Sequence, residues 1–360
     1  MTEPGGPGLS RDNPWPGLGS FSEEDRAFFH GRAAESADLV RLVRREPLAV
    51  LFGRSGLGKT SLLNAGLFPL LRQDSFLPVY VRLGFDSQVP LPRQILDAVA
   101  CACGAGAIEA PAPRAGEGLW TFFHRTGEGF WNARNRPVVP VLVFDQFEEV
   151  FTVGQRTPEA RERSAAFFAE LGDLIENRMP EAVRRAIEAD PEAAERYEAD
   201  RRGPKVVLSF REDFLAAMEG LKRQMPSLMR NRYRLQAMDG AQAYEVVTAS
   251  GGHLVTEDVA RRIVGLAWRN SADPPPDPAE YPGMEVDPAL LSVICSELNG
   301  RRRRARLDTI TIDLLKGADG EILSDFFERS FEGLDPRVRV FVEDELITER
   351  GYRDSFVLED

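Results

Sequence analysis

A glycine-rich octapeptide that joins a short apolar run to a helix-forming stretch constrains this chain more than any other feature. The apolar run is Leu48–Phe52, and the helix-forming stretch is Thr60–Arg72. The octapeptide Gly53–Thr60, of sequence GRSGLGKT, matches the pattern G-x-x-x-x-G-K-[ST] of phosphate-binding loops. Glycines allow the backbone to turn and to direct its N–H groups towards phosphate oxygens. The motif therefore predicts an α/β domain that binds a nucleotide.

Consecutive residues of this loop and of the helix that follows are candidates for nucleotide contacts. Lys59 is expected to reach the β- and γ-phosphates, and the Thr60 hydroxyl is expected to bind Mg²⁺. The positive end of the helix dipole adds to the attraction for phosphate. The predicted cofactors are ATP or ADP together with Mg²⁺. The candidate residues are Gly53, Arg54, Ser55, Gly56, Leu57, Gly58, Lys59, Thr60 and Ser61.

Three further apolar runs of strand length alternate with helix-forming stretches. Each run is rich in Val, Leu or Phe and is too short for a typical globular helix. Apolar strands that alternate with helices are typical of a parallel sheet covered on both faces. We therefore expect one α/β domain up to about Leu235. The runs are Val79–Leu83, Val138–Phe144 and Val206–Phe210, and the helical stretches are Thr60–Arg72, Leu91–Cys103 and Glu159–Ile175.

The second half of a nucleotide site requires an acidic residue at the end of another strand. Asp145 follows the run Val138–Phe144 directly and is expected to hold Mg²⁺, either directly or through water. A carboxylate just beyond such an aspartate can accept a proton from the attacking water. Glu148 and Glu149 are both candidates for this role, and the sequence slightly favours Glu149.

Arg211 ends the run Val206–Phe210 and is a third candidate. Ligands of parallel sheets bind at the carboxyl ends of the strands, so this arginine is placed to detect the γ-phosphate. The alternative is a surface arginine that pairs with Glu212 or Asp213.

Composition excludes several other classes of protein. The chain has 57 Asp and Glu against 45 Lys and Arg, a net charge of −12, which argues against a protein that coats nucleic acid. Its three cysteines are too few for a disulfide framework, and Cys101 and Cys103 are expected to be buried thiols. No secretory signal or membrane-spanning run is recognised, so the sequence predicts a cytoplasmic protein without a membrane partner.

The segments Pro16–Asp25 and Phe28–Arg32, together with the phosphate loop, Val141–Phe151 and Ser209–Phe214, resemble bacterial STAND-class P-loop NTPases of the novel STAND type. The resemblance covers Pro14 to about Leu235. It implies a five-stranded sheet of the ASCE type, in which an extra strand carrying Arg211 separates the phosphate-loop strand from the Asp145 strand.

The resemblance also implies contacts to the base and sugar of the nucleotide. His30, Gly31 and Arg32 are expected to lie against the adenine or ribose. Pro288 resembles a proline that touches the base, although a proline in the first turn of a helix capped by Asp287 fits the residues equally well.

The organisation implied for the chain comprises four regions. These are an N-terminal arm (1–20), a P-loop domain (21–237) with a solvated helical insertion (about 157–204), a helical subdomain (238–300) and a winged helix (301–360). The expected winged helix consists of a pair of helices followed by a hairpin with its turn at Gly351.

The resemblance to STAND-class NTPases also implies a function. The resemblance implies an ATP/ADP-dependent signalling switch that hydrolyses ATP weakly, self-associates in the ATP state and acts on effector and sensor modules outside this chain. The competing interpretations are a DNA-associated AAA+ ATPase that uses the arginine run Gly300–Arg306, a small-molecule kinase and a non-hydrolysing adaptor. No histidine follows His253, so the winged-helix histidine of related switches is missing.

Overall fold

The computed structural model describes residues 8–85, 88–316 and 321–346, and these form two compact units. The sheet unit contains Gly19–Met238 and Asp287–Ala289. The helical unit contains the described parts of residues 1–18, 239–286 and 290–360.

The sheet unit is built on five parallel strands in the order β2-β3-β4-β1-β5. Strand β4 lies between β1 and β3, which confirms the expected parallel sheet and the ASCE strand order. The strands are β1 (Leu48–Gly53), β2 (Phe76–Val81), β3 (Val139–Phe144), β4 (Lys205–Arg211) and β5 (Arg232–Arg234).

Helices flank this sheet. Residues Leu62–Leu67 form a π-helical segment between α2 and α3, and short 3₁₀ turns connect other elements. The helices are α1 (Ala33–Arg45), α2 (Lys59–Ser61), α3 (Phe68–Gln73), α4 (Leu91–Ala105), α5 (Leu119–Phe123), α6 (Glu149–Thr152), α7 (Pro158–Ile175), α8 (Glu181–Ala189) and α9 (Leu215–Glu219).

Apolar side chains pack against the sheet in two buried clusters. One contains Leu48 and Val50 of β1 with the apolar residues of α4 and α7, and the other contains Ala49 and Leu51 with those of α1 and the phosphate-loop helix. Alternate residues of β1 thus enter opposite clusters, as the two-residue period of a strand requires. This double burial explains why the strands are continuous apolar runs.

Helix α7 differs from the expectation of a solvated insertion over 157–204. Phe167 and Leu171 are 1% and 0% exposed and belong to the first core cluster. The charged residues of α7 lie mainly before Phe167, so the second half of the helix presents an apolar face to the sheet. Only the region around α8 matches the expectation, because Val183 is the one residue of α8 that is buried.

Two smaller expectations also differ from the structure. Cys101 is exposed on α4, because its neighbour Cys103 occupies the face that packs on the core. Strand β2 lies at Phe76–Val81 rather than Val79–Leu83, because the hydrogen-bonded register with β3 begins at Phe76.

Among the described residues the helical unit contains five whole helices and, from Leu290 onwards, most of a sixth. The N-terminal segment packs into this unit: Trp15 is 1% exposed, and Asp12 pairs with Arg302. Arg301–Arg304 belong to the end of a helix rather than to a loop. The helices are α10 (Gly240–Gly251), α11 (Glu257–Arg269), α12 (Pro288–Arg304), α13 (Ile312–Leu315), α14 (Glu321–Ser330) and α15 (Pro336–Glu345).

The expected winged helix is only partly described. Helices α14 and α15 lie where the sequence predicts helices, whereas the hairpin around Gly351 falls outside the described residues. The winged helix therefore stays a prediction. No helix among the described residues is long and apolar enough to cross a membrane.

The placement of α7 can be tested with one core substitution. Phe167→Ala should lower the free energy of unfolding of the sheet unit by about 3–5 kcal/mol, because it leaves a cavity beneath the helix. Arg184→Ala, on exposed α8, is the control and should change it by less than about 0.5 kcal/mol. Denaturant unfolding measures both, and equally small effects would contradict the packing of α7.

Candidate functional site

The phosphate loop leaves β1 at Gly53 and enters α2 at Lys59. Gly56 and Gly58 adopt φ angles of +85° and +82°, a region that favours glycine. Leu57 is buried and anchors the loop, while Arg54, Ser55 and Gly56 are exposed. The loop therefore has a fixed base and an open tip at the start of a helix, the arrangement that binds phosphate.

Lys59 lies folded over this loop. Its Nζ donates to the carbonyl oxygens of Gly53 and Arg54 over 2.9 and 3.0 Å. Burial lowers the pKa of Lys59, while the negative charges of Glu148 and Asp145 act in the opposite direction. The side chain is therefore positioned within the loop and lies in the field of both acidic residues.

Asp145 is held at the end of β3 by three hydroxyl groups. Thr60 Oγ1 donates to Oδ2 over 2.7 Å, Tyr80 donates to the same oxygen over 3.2 Å, and Ser209 Oγ donates to Oδ1 over 3.0 Å. Asp145 is only 4% exposed. The loop helix and strands β2 and β4 thus all contact one carboxylate of β3.

The donor set fits Mg²⁺. The Thr60 hydroxyl uses its hydrogen on Asp145, so the lone pairs of its oxygen remain for a cation. Among the described residues no group of three His, Cys, Asp or Glu side chains forms a metal cage. One carboxylate and one hydroxyl suit Mg²⁺, which in nucleotide sites takes its other ligands from phosphates and water.

The sequence prediction missed Tyr80 and Ser209. Ser209 is the one polar residue within the run Val206–Phe210, and this interruption was the available signal. Tyr80 lies inside an apolar strand where a tyrosine is ordinary. Burial and the charge of Asp145 raise the pKa of Tyr80, so its hydroxyl stays protonated and acts as a donor.

The two candidate glutamates have different surroundings. Burial raises the pKa of Glu148, while the backbone N–H groups of Glu148 and Arg211 and the charge of Lys59 act in the opposite direction. Its Oε2 is buried and has no hydrogen-bond partner among the described residues. Glu149 instead pairs with Arg82 over 3.1 Å. The charge of Lys59 therefore acts on Glu148, whereas Glu149, the residue that the sequence slightly favours, is held in an ion pair.

Arg211 lies beside the phosphate loop. It pairs in register with Gly53 on the neighbouring strand, and its charge contributes to the lowered pKa of Lys59. Its guanidinium binds both carboxylate oxygens of Asp213, over 3.1 and 2.6 Å. Arg211 therefore lies beside the phosphate loop and is at the same time held in a local ion pair with Asp213.

The side chain of Arg32 contacts the backbone of the phosphate loop. This side chain is 3% exposed and donates to the carbonyl oxygens of Leu57 and Gln236, over 3.5 and 2.8 Å, and to Glu35 over 2.7 Å. Its guanidinium is thus bound by protein groups. Gly31 precedes it with a φ of +75°, and His30 contacts the carbonyl oxygen of Ala27.

The remaining candidates have local partners. Ser61 is buried and accepts a hydrogen bond from the Phe21 N–H over 3.2 Å. Pro288 is the first residue of α12, and Asp287 before it accepts from the Ala289 N–H over 2.8 Å, as a helix cap does. A side chain on Gly56 would lie 3.5 Å from Asp287 Oδ2, so this cap lies close to the phosphate loop within the sheet unit.

The phosphate loop, the buried aspartate and the strand order together define a P-loop NTPase. The model of the family Novel STAND NTPase 1 matches residues 14–268. The chain therefore belongs to the novel STAND NTPases. No curated protein matches the chain.

Several solved structures are similar to this chain. The Aeropyrum pernix ORC1 protein in complex with DNA shares 16% identity over 90% of this chain and 73% of its own, with a TM-score of 0.49. The A. pernix ORC2 protein in its ADP form shares 13% over 91% and 83%, with a TM-score of 0.49. A chain of the E. coli MS115-1 HORMA:CdnC:Trip13 complex shares 14% over 84% and 92%, with a TM-score of 0.45.

The role of Arg32 as a brace for the loop predicts a loss of stability on its removal. Arg32→Ala should lower the free energy of unfolding by about 1–3 kcal/mol, because the carbonyl oxygens of Leu57 and Gln236 lose their buried donor and Glu35 loses its ion pair with Arg32. Arg54→Ala, at the exposed tip of the loop, should change it by less than about 0.5 kcal/mol. A stable Arg32→Ala variant in thermal or denaturant unfolding would contradict this role.

Proposed function

We propose that this chain is an ATP/ADP-dependent signalling switch, which binds ATP with Mg²⁺, hydrolyses it slowly and self-associates in the ATP state. Through separate effector and sensor modules it would act in bacterial defence or stress signalling in the cytoplasm. The observation that carries the proposal is the meeting of Lys59, Thr60, Asp145 and Glu148 at the carboxyl edge of the sheet.

Binding of the triphosphate begins with the loop. Its backbone N–H groups and Lys59 would bind the β- and γ-phosphates, and Lys59 would exchange the carbonyl oxygens of Gly53 and Arg54 for phosphate oxygens. Thr60 and Asp145 would hold Mg²⁺, which neutralises charge on the phosphates when bound. Attraction for the polyanion is thus local within a chain of net charge −12.

Glu148 is the proposed general base. Its raised pKa makes it a better proton acceptor than an ordinary carboxylate, and its buried Oε2 has no hydrogen-bond partner in the part of the chain that the structure describes. Water would give its proton to Glu148 as its oxygen bonds to the γ-phosphorus, and the bond from that phosphorus to the bridging oxygen would break. The products are ADP and inorganic phosphate.

Arg211 is the proposed γ-phosphate sensor. The phosphate would compete with Asp213 for the guanidinium, so ATP and ADP would favour different arrangements of this side chain. A shift of a two-state equilibrium from 1:99 to 99:1 needs about 5.5 kcal/mol of differential binding. Hydrogen bonds to charged groups contribute about 1.5–3 kcal/mol each, so a few such contacts suffice.

The contacts that we propose to the base and sugar of the nucleotide come from the family resemblance. His30, Gly31 and Pro288 are the residues placed in this role, with Pro288 next to a cap that lies near Gly56. The buried Arg32 would contribute by fixing the loop.

The proposed base can be tested with a matched pair of substitutions. Glu148→Gln should lower the rate of ATP hydrolysis about 10²–10⁴-fold, because the amide cannot accept the proton. Glu149→Gln removes a neighbouring carboxylate that pairs with Arg82, and its rate should stay close to that of the unmodified chain. Phosphate release under saturating ATP measures both, and the reverse order of effects would assign the base to Glu149.

The switch can be tested by measuring mass in solution. With ATP and Mg²⁺, the Glu148→Gln variant should form a larger assembly in light scattering, because it retains the triphosphate. ADP should leave the protein small, and Lys59→Ala should stay small with either nucleotide. If ATP binds but the mass stays constant, the result would contradict the switch and favour the non-hydrolysing adaptor, which holds nucleotide for structure.

A DNA-associated ATPase is the alternative that uses the arginine run. Within the described residues, Arg302 is buried and pairs with Asp12, Arg303 also pairs with Asp12, and Arg301 pairs with Asp325. These pairs support a structural use of the run, and we propose that nucleic acid is not a partner. Salt-dependent DNA binding that is lost on substitution of Arg303 would support the alternative instead.

A further inference from the structure

The carboxylate of Asp145 receives a hydrogen bond from a residue that belongs to no sequence motif. The Tyr80 hydroxyl donates to Oδ2 over 3.2 Å, and Thr60 donates to the same oxygen. Ser209 donates to Oδ1. The two oxygens are thus fixed from α2, β2 and β4, three elements that meet only in the folded sheet.

The position of Tyr80 in the sheet directs its hydroxyl to this carboxylate. Tyr80 lies on the edge strand β2, where it pairs in register with Val143 of β3. Its ring packs edge-to-face on Phe68, with ring centroids 6.5 Å apart and an interplanar angle of 71°. Phe68 is buried in α3. Contact with it holds the ring of Tyr80, although Tyr80 itself is 39% exposed.

We propose that Tyr80 is a positioning residue that orients the Asp145 carboxylate for the Mg²⁺–nucleotide complex. The inference rests on the proposed function, because it concerns the same site. Tyr80 would act through Asp145 and not on the phosphates. Its hydroxyl keeps Oδ2 directed towards Thr60, so that the carboxylate and the Thr60 hydroxyl face the cation together.

The physical basis is the strength of a hydrogen bond to a charged acceptor. Such bonds are shorter and stronger than neutral ones, and partners of this kind fix the orientation of a metal-binding group. Loss of one such partner typically lowers metal affinity about 10–100-fold. Because Thr60 and Ser209 still hold Asp145, we expect an effect near the lower end of this range.

The test removes one oxygen atom. Tyr80→Phe keeps the ring and its contact with Phe68 and deletes the hydroxyl. Equilibrium binding of a fluorescent ATP analogue is measured as a function of Mg²⁺ concentration and again in EDTA, with thermal unfolding alongside. The half-saturating Mg²⁺ concentration should rise about 10-fold. Affinity in EDTA and the unfolding temperature should stay at the values of the unmodified chain.

Two further variants make the test specific. Tyr233→Phe makes the same change on β5, the opposite edge strand, and should leave the Mg²⁺ dependence unchanged. In an Asp145→Asn background, Tyr80→Phe should cause no further change, because both substitutions act on the same interaction. Independent, multiplying effects would place the action of Tyr80 outside this carboxylate and overturn the inference.

The outcomes separate this inference from the proposed function. A normal Mg²⁺ dependence in folded Tyr80→Phe, beside a clear dependence in the unmodified chain, overturns only the role of Tyr80. An equal loss of affinity in EDTA and in Mg²⁺ shows a general structural role and also overturns it. An unmodified chain whose nucleotide binding is independent of Mg²⁺ overturns the proposed function.

Discussion

The hydrogen bond between Thr60 and Asp145 is the contact on which the arrangement of the site depends. It joins the helix that begins at the phosphate loop to the end of β3, over 2.7 Å. Thr60 follows β1 along the chain, Asp145 follows β3, and β4 lies between these two strands. The bond can therefore form only because the loop extends from the end of β1 towards β3. The same strand β4 supplies Ser209 to Asp145 and places Arg211 beside Gly53. The inserted strand therefore organises both the proposed cation site around Asp145 and the position of the proposed sensor.

Burial shifts the pKa values of two charged side chains at this edge in opposite directions. It lowers the pKa of Lys59 and raises that of Glu148, and the opposite charge of each moderates the shift of the other. These shifts suit the roles proposed for the two residues, phosphate binding by Lys59 and proton acceptance by Glu148. The other charged candidates are held in ion pairs, Arg82–Glu149 and Arg211–Asp213.

The sequence predicted the features that follow from local pattern. The phosphate loop, Asp145 and four of the strands are readable because buried parallel strands are continuous apolar runs that end in functional residues. Strand β5 is Arg-Tyr-Arg, an edge strand without an apolar run, and only the family resemblance implied a fifth strand. The sequence does not show that the carbonyl oxygens of Leu57 and Gln236 bind the guanidinium of Arg32, because these residues meet only in the folded chain. The hydrogen bond from Tyr80 to Asp145 and the different surroundings of Glu148 and Glu149 also depend on tertiary contacts that a sequence does not show.

The carboxyl edge of the sheet is the proposed binding site for ATP with Mg²⁺. Isothermal titration calorimetry of ATP into the purified chain, with Mg²⁺ and with EDTA, tests it most directly. We predict saturable binding of one nucleotide per chain that is tighter with Mg²⁺ and weakened by Asp145→Asn. Absence of binding to a folded chain freed of any co-purified nucleotide, or binding that is unaffected by both Mg²⁺ and Asp145→Asn, would contradict it.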